Sequence, residues 1–311
     1  MIILRILSQN MMTSVVRLLI HPATWVCVLL AIAPSSSIID YQEEELERTE
    51  LEQKIVPWYA NSPGHTVFGE YVGAHWCGPC MSSASPSLDN LKTSNPEEFT
   101  FVSFFESSSG GWPSDGPINR QTHIMQSSSG YPTFSFADSQ SGSCYKVGAS
   151  GSNYYDSDFS SGGCMSSSSN DFQLEMSMSL NSSTEEVTIT LDSIYTGSLS
   201  SFEVYVYGAV TEKIGADSYD NGVKPHHNWR GWLLNSADSG FQQLTLSQGV
   251  WESHSWTAPL SLVRAGGGYT QWENFWPVFA LMDGPHSSYN EFLVAIDPDM
   301  GPMIDVGILE F

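Results

Sequence analysis

From residue 172 onward, apolar side chains fall on every second position. In FQLEMSMSL (172–180), Phe172, Leu174, Met176, Met178 and Leu180 share one face, as in a half-buried strand. VTITLDSI (187–194) and FEVYVYGAV (202–210) keep that period, and further strands are expected at 229–234, 241–246, 250–257, 274–282 and 291–296. About eight strands separated by turn residues, with almost no helical periodicity, predict an antiparallel β-sandwich. The preceding stretch has a different texture. HTVFGEYVGA (65–74) and FTFVSFFE (99–106) read as buried strands, residues 79–93 as a helix and 116–126 as a short helix. PTFSFAD (132–138) and SCYKVGA (143–149) predict a hairpin, and a last helix is expected around Tyr154 to Phe159. A β-α-β order followed by a hairpin and a helix predicts an α/β domain with a mixed sheet. The expected plan is thus two domains, α/β at 57–170 and all-β at 171–311, with the boundary in SGGCMSSSSND (161–171).

The N-terminal residues stand apart from both. Arg5, Arg17 and His21 precede the apolar run ATWVCVLLAIA (23–33), which gives way to PSSS. A charged start, a short apolar stretch and a small-residue exit match an export signal, so residues 1–36 are expected to direct the chain out of the cytoplasm. Cleavage would release a secreted protein; retention of residues 15–33 would leave it anchored to a membrane. DYQEEELERTELEQKI follows, within residues 37–56, and reads as an exposed helix or a spacer.

Composition narrows the partners. The chain carries 11 Lys+Arg against 34 Asp+Glu, a formal charge of −23. With so little basic surface, nucleic acid is not an expected partner. Such a surface suits salty surroundings or the outside of a cell, or serves only for solubility. No Ser-His-Asp motif, P-loop or dinucleotide fingerprint occurs, and no cofactor is expected.

Export changes how the cysteines are read. Cys27 lies in the apolar leader, which leaves Cys77, Cys80, Cys144 and Cys164, an even set suited to two disulfides. Cys77 and Cys80 sit in AHWCGPCM at an expected strand-to-helix junction. Two cysteines separated by Gly-Pro fit a redox couple, half of a zinc site or a structural disulfide. Zinc needs two further ligands, and Cys144, Cys164 and His75 do not supply a second close pair. As a redox couple, Cys77 at the helix N-terminus would have an exposed sulfur and a stabilised thiolate, while Cys80, one turn in, would resolve mixed disulfides. An accessible Cys77 sulfur is the geometric condition that reading sets. A Cys144–Cys164 bridge would close a loop of about 20 residues and contribute roughly 3 kcal/mol; a second redox pair is the alternative.

WCGPC (76–80) after a hydrophobic strand, with GYPTFSF (130–136) downstream, resembles the thioredoxin superfamily over about residues 57–170. The resemblance implies a thioredoxin-like α/β fold with protein thiols and disulfides as partners, exchanging electrons with a donor or acceptor the sequence does not name. It implies Cys77 as nucleophile, Cys80 as resolving cysteine and Trp76 as a shield over the disulfide. Pro132 would be the cis proline beside the pair, and Tyr131 would offer backbone hydrogen bonds to a substrate chain. The sequence departs from that pattern. Tyr71 stands where thioredoxin has a buried acid, so the acid's role has passed to the adjacent Glu70 or is absent. Pro86 comes one residue late, which predicts an irregular helix, and the 107–117 loop with Trp112 is long.

The β half adds less chemistry. The combination of the two expected domains, with SGYPT and a His-rich strand, is similar to secreted proteins related to a bacterial outer-membrane lipoprotein family. A docking or spacer role is expected for it, and a non-enzymatic extracellular binding or adhesion protein is the competing reading of the whole chain. His226 and His227 are neighbours whose side chains diverge, so structural or solvent-facing roles are expected over metal binding. DSYDNG (217–222) and DPDMGPMID (297–305) offer clustered oxygens for calcium without matching an EF-hand. Asn181 heads a glycosylation sequon, NSS.

Overall fold

A computed structural model describes residues 66–107, 118–126, 130–137, 144–160, 171–234, 241–284, 292–300 and 303–309. The expected export segment and spacer, Trp112 and Cys164 lie outside these residues. Pro57–Phe311 forms one compact unit.

In chain order the elements are β1 (Val67–Ala74), a π-helical turn (Cys80–Ala84), α1 (Ser85–Ser94), β2 (Phe99–Glu106), α2 (Ile118–Met125), β3 (Thr133–Phe136), β4 (Tyr145–Val147) and α3 (Asp156–Ser160). Strands follow: β5 (Phe172–Asn181), β6 (Glu186–Tyr195), β7 (Ser201–Ile214), β8 (His226–Trp232), β9 (Phe241–Ser247), β10 (Trp251–Pro259), β11 (Phe275–Met282), β12 (Phe292–Ile296) and β13 (Met303–Leu309). β1 and β2 are parallel, and β3 lies antiparallel to β1 on its other side. All eight residues of β1 are buried, as a strand covered on both faces requires.

The strands do not divide between sheets as the two-domain plan divides them. One nine-stranded sheet runs β12-β11-β7-β8-β2-β1-β3-β4, with β9 also paired to β7, and a four-stranded sheet runs β10-β6-β5-β13. The larger sheet therefore takes strands from both sides of the 161–171 segment. β7 makes this possible through its length: its 14 residues pair with β9 over the first half and β8 over the second. The smaller sheet is antiparallel except at its edge, where β13, a strand the periodicity does not predict, runs parallel to β5.

Alternation along each strand sorts the core. Phe68, Val72, Val102, Phe104, Tyr207, Ala209, Trp229, Val278 and Ala280 form one apolar cluster on a single face of the large sheet, joined by Ile124 and Met125 of α2. The opposite face carries two clusters. Val67, Tyr71, Phe99, Phe101 and Phe105 pack against Leu88 and Leu91 of α1, while Val204, Val206, Phe275 and Phe279 pack against Met176, Ile189 and Leu191 of the second sheet. The second pairing is sandwich-like; the first covers the sheet with helix.

Polar groups close the joint between β2 and β8, whose parallel register is Ser103↔Asn228. Ser103 Oγ donates to the His226 carbonyl at 2.7 Å, and the imidazole of His227 stacks on Phe101 with ring centroids 4.6 Å apart. His226 pairs with Asp89 of α1 at 2.9 Å. Fully buried Asp297 pairs with Lys92 at 2.8 Å and accepts from Thr100. That pairing removes Asp297 from the proposed calcium loop. Asp217 of DSYDNG is likewise held by Arg264 at 2.9 Å. Among the described residues, no group of three or more His, Cys, Asp or Glu side chains is placed to hold a metal ion, and no helix is long and apolar enough to cross a membrane.

His227 gives this joint a pH dependence. Burial first, then the charges of Lys92 and His226, push its pKa well below the ordinary 6.5. The folded chain thus holds His227 neutral while the unfolded chain protonates it, so stability present above pH 6.5 is lost as the pH falls. Melting temperature should drop progressively between about pH 6.5 and pH 5. His227→Asn, which tolerates the left-handed backbone there (φ 51°), should flatten that slope even if it lowers stability at pH 7. An unchanged slope would remove His227 from the account.

Candidate functional site

β1 ends at Ala74, and the chain turns through His75 and Trp76 into the CGPC motif. The His75 amide donates to the Glu106 carbonyl at 3.0 Å and the Cys77 amide to the Ala74 carbonyl at 3.0 Å, which ties the turn to the ends of both parallel strands. Pro79 has helical backbone angles (φ −62°, ψ −29°) and needs no partner for a missing N–H at a helix start. Cys77 and Cys80 form a disulfide with an S–S distance of 2.03 Å. Cys77 Sγ also accepts the Cys80 amide N–H at 3.1 Å, so the helix end points a donor at that sulfur.

The irregularity expected from Pro86 takes a definite form. Residues Cys80–Ala84 make a π turn, closed by the Ser85 amide donating to the Cys80 carbonyl. A proline ring in an α-helix collides with the carbonyl four residues back and offers it no N–H. Widening the preceding turn relieves both problems.

The Tyr131–Pro132 peptide is cis, as the resemblance implies. Tyr131 packs against the apolar cluster that contains both cysteines. Its hydroxyl donates to Glu106 at 3.0 Å; burial and the Glu106 charge push its pKa well above the ordinary tyrosine value. The neighbouring carbonyls are taken, Pro132's by the Gly148 amide at 2.7 Å and Gly130's by the Thr133 hydroxyl at 2.8 Å. The backbone N–H and C=O of Tyr131 make no hydrogen bond to any described residue. Trp76 is 48 % exposed, edge-on to His75 at 4.6 Å and to Tyr131 at 6.1 Å.

Two expectations change. The first is the exposure of Cys77: it keeps 6 % of its surface and Cys80 none. Both cysteines belong to one apolar cluster, and Met81 and Tyr131 pack against that cluster. The second is the transfer of an acid's role to Glu70. Neighbours on a strand face opposite ways. Tyr71 joins the cysteine cluster, while Glu70, fully buried, faces α2 and accepts the Arg120 Nε–H at 2.9 and 3.1 Å. No carboxylate is therefore carried by β1 on the cysteine side.

Hydroxyls occupy that place instead. Tyr71 Oη lies 3.1 Å from Tyr219 Oη, which lies 2.9 Å from Ser85 Oγ. Burial pushes the Tyr219 pKa up to about 12, against the lowering effect of its Ser85 and Tyr71 bonds, and burial, with Tyr219, raises that of Tyr71 well above the ordinary tyrosine value. Both phenols are neutral at neutral pH. Sequence reasoning missed Tyr219, which stands in DSYDNG, 148 residues from Tyr71; an aromatic residue in an otherwise acidic turn was its one signal. Cys144 is also disulfide-bonded.

Glu70→Gln separates the two faces of β1. Breaking a buried ion pair should cost about 3–5 kcal/mol in urea unfolding. The pH profile of Cys77 alkylation in the reduced protein should stay where it is, because Glu70 faces away. A shifted profile would return the acid's role to Glu70.

No family model matches the chain, and no curated protein matches it. Among solved structures, the fold is similar to HBP35 of Porphyromonas gingivalis, with TM-score 0.53 and 14 % identity, covering 76 % of each chain. A β-glucosidase from Kluyveromyces marxianus in complex with glucose aligns over 42 % of this chain and 14 % of its own, with TM-score 0.24 and 14 % identity, too slight a likeness to bear on the fold.

Proposed function

We propose that the chain is an exported thiol–disulfide oxidoreductase of the thioredoxin-like kind, acting on protein thiols and disulfides. The observation that carries this reading is the Cys77–Cys80 disulfide at a helix start, with the Cys80 amide aimed at the Cys77 sulfur. That donor and the helix end favour a thiolate on Cys77. A substrate thiolate attacks Cys77 Sγ, the Cys77–Cys80 bond breaks, and Cys80 leaves as thiolate. A second substrate thiolate then attacks the substrate sulfur of the mixed disulfide, so the substrate leaves oxidised and the pair reduced. In reverse, Cys77 attacks a substrate disulfide and Cys80 resolves it. The backbone N–H and C=O of Tyr131, which make no hydrogen bond to any described residue, support its role as a ledge for the substrate chain, with Pro132 beside it and Trp76 at the rim.

An extracytoplasmic setting is part of the proposal. It rests on the export-like residues 1–36, with attachment through 15–33 as the alternative to secretion, and on a third disulfide-bonded cysteine, Cys144, which an oxidising compartment favours. The competing reading, a binding protein with the redox fold as scaffold, has its own observation in the 6 % exposure of Cys77.

Insulin reduction by dithiothreitol decides between them. The full chain should accelerate it, Cys77→Ser should abolish the acceleration, and Cys80→Ser should accumulate a mixed disulfide with the substrate. A wild-type rate no higher than that of Cys77→Ser would favour the scaffold reading.

A further inference from the structure

We propose that the Ala216–Val223 loop, from the β-rich C-terminal part of the chain, is a strap that sets the geometry of the cysteine pair, with Tyr219 as its positioning residue. This rests on the redox reading above and extends the site to residues far along the chain. The loop grips both flanks of the CGPC motif. Before the motif, the Asp220 amide donates to the His75 carbonyl at 3.1 Å, and the Asp220 carboxylate lies 4.0 Å from the His75 imidazole. After the motif, the Tyr219 hydroxyl meets Ser85 Oγ at 2.9 Å. Ser85 is the residue whose amide closes the π turn onto the Cys80 carbonyl. Tyr219 thus reaches the backbone of Cys80 through a single intervening residue.

The strap is itself firmly held. Tyr219 is 2 % exposed and packs edge-on to Phe105 of β2 at 4.9 Å. Its amide donates to the Val223 carbonyl, and its carbonyl accepts from the Gly222 amide, each at 2.8 Å. At the loop's base, Glu212 accepts the Ala216 amide at 2.8 Å, Lys224 Nζ donates to the Ala216 carbonyl at 2.7 Å, and Arg264 holds Asp217. These bonds anchor the loop to the end of β7 rather than leaving it to follow the cysteines.

The chemical consequence falls on one step. Attack on a substrate by Cys77 depends on access to its sulfur past the groups that cover it, whereas resolution needs Cys80 to reach the Cys77 sulfur within its own turn. A wide, π-hydrogen-bonded turn with no strap would hold Cys80 less closely, and small misplacements of reacting groups slow a step steeply. The strap therefore governs resolution and leaves the first attack alone.

Reaction of the reduced full chain with 5,5′-dithiobis(2-nitrobenzoate) reads the two steps separately. Cys77 thiolate attacks the reagent and releases one thionitrobenzoate. Cys80 thiolate, its proton lost to solvent, then attacks the Cys77 sulfur and releases the second as the disulfide closes. Cys80→Ser should show the first release alone, and the Cys77→Ser/Cys80→Ser chain gives the background from other cysteines. In Tyr219→Phe, which keeps the ring against Phe105, the second release should slow about tenfold or more, with the first unchanged. Ser85→Ala should do the same, and the double variant should be no slower than either single one, because the two act in series. Leu246→Ala, a cavity in the distant sandwich core, should lower stability without splitting the phases. A second phase at the wild-type rate in Tyr219→Phe, or in Ser85→Ala if the tyrosine variant does not fold, would overturn the strap. Equal slowing of both phases would do so as well. If the wild-type chain shows no Cys80-dependent second release, the redox reading falls and the strap with it.

Discussion

The buried carboxylate of Asp297 is where the N-terminal strands and helix are tied to the C-terminal strands. It meets Lys92 of α1 and Thr100 of β2, and all three are closed off from solvent. A buried charge that lost its partner would be strongly destabilising, so such a pair permits one register and penalises the others. The joint it guards needs that discipline. β2 and β8 match at Ser103↔Asn228, a short parallel contact that by itself specifies little. The second buried pair, Glu70 with Arg120, ties β1 to α2, where Arg120 also lies over the ring of Phe292 at 5.9 Å. With both pairs made, Phe68 can sit 4.4 Å from Phe292 and 5.0 Å from Tyr207, and the apolar face runs unbroken across the sheet. Apolar burial supplies the bulk of the stabilisation, and the ion pairs decide which surfaces are buried together.

What the sequence made legible follows what is local. β2 was expected at 99–106 and lies at Phe99–Glu106, because each of its side chains before Glu106 is apolar, β-branched or small. β5 and β6 declared themselves by alternation, each having one face on the sandwich core. β13 did not: in MIDVGIL the apolar residues fall out of step, and its pairing with β5 shifts register between Asp305 and Ile308. Pro86 announced an irregular helix without saying that the turn before it would widen.

Other features were illegible for a different reason. The period of two along β1 was enough to place Glu70 with Phe68 and Val72, away from Tyr71, and that inference was open from the start. Tyr219 was not open to any local argument. Its partners Tyr71 and Ser85 are 148 and 134 residues away, and only the closure of the large sheet brings them together. The burial of Cys77 belongs to the same class, since it depends on what packs over the motif and not on the motif.

The exchange of a carboxylate for a phenol has a consequence for the proposed chemistry. A buried carboxylate near neutrality can take a proton from a resolving thiol, whereas Tyr71, held neutral by burial far above its ordinary pKa, cannot. On the proposed reading, resolution would then proceed through whatever fraction of Cys80 ionises without help from a carboxylate on β1. A step that lacks a base can gain only from geometry, by holding the attacking sulfur close to its target. The hydroxyl chain from Tyr71 through Tyr219 to Ser85 supplies that kind of help: it carries no charge and ends on the turn that presents Cys80. Its middle member comes from the C-terminal strands, so the site is complete only when the large sheet has closed. A continuous sheet with buried ion pairs at its joint is, on this argument, part of the proposed redox site rather than a support for it.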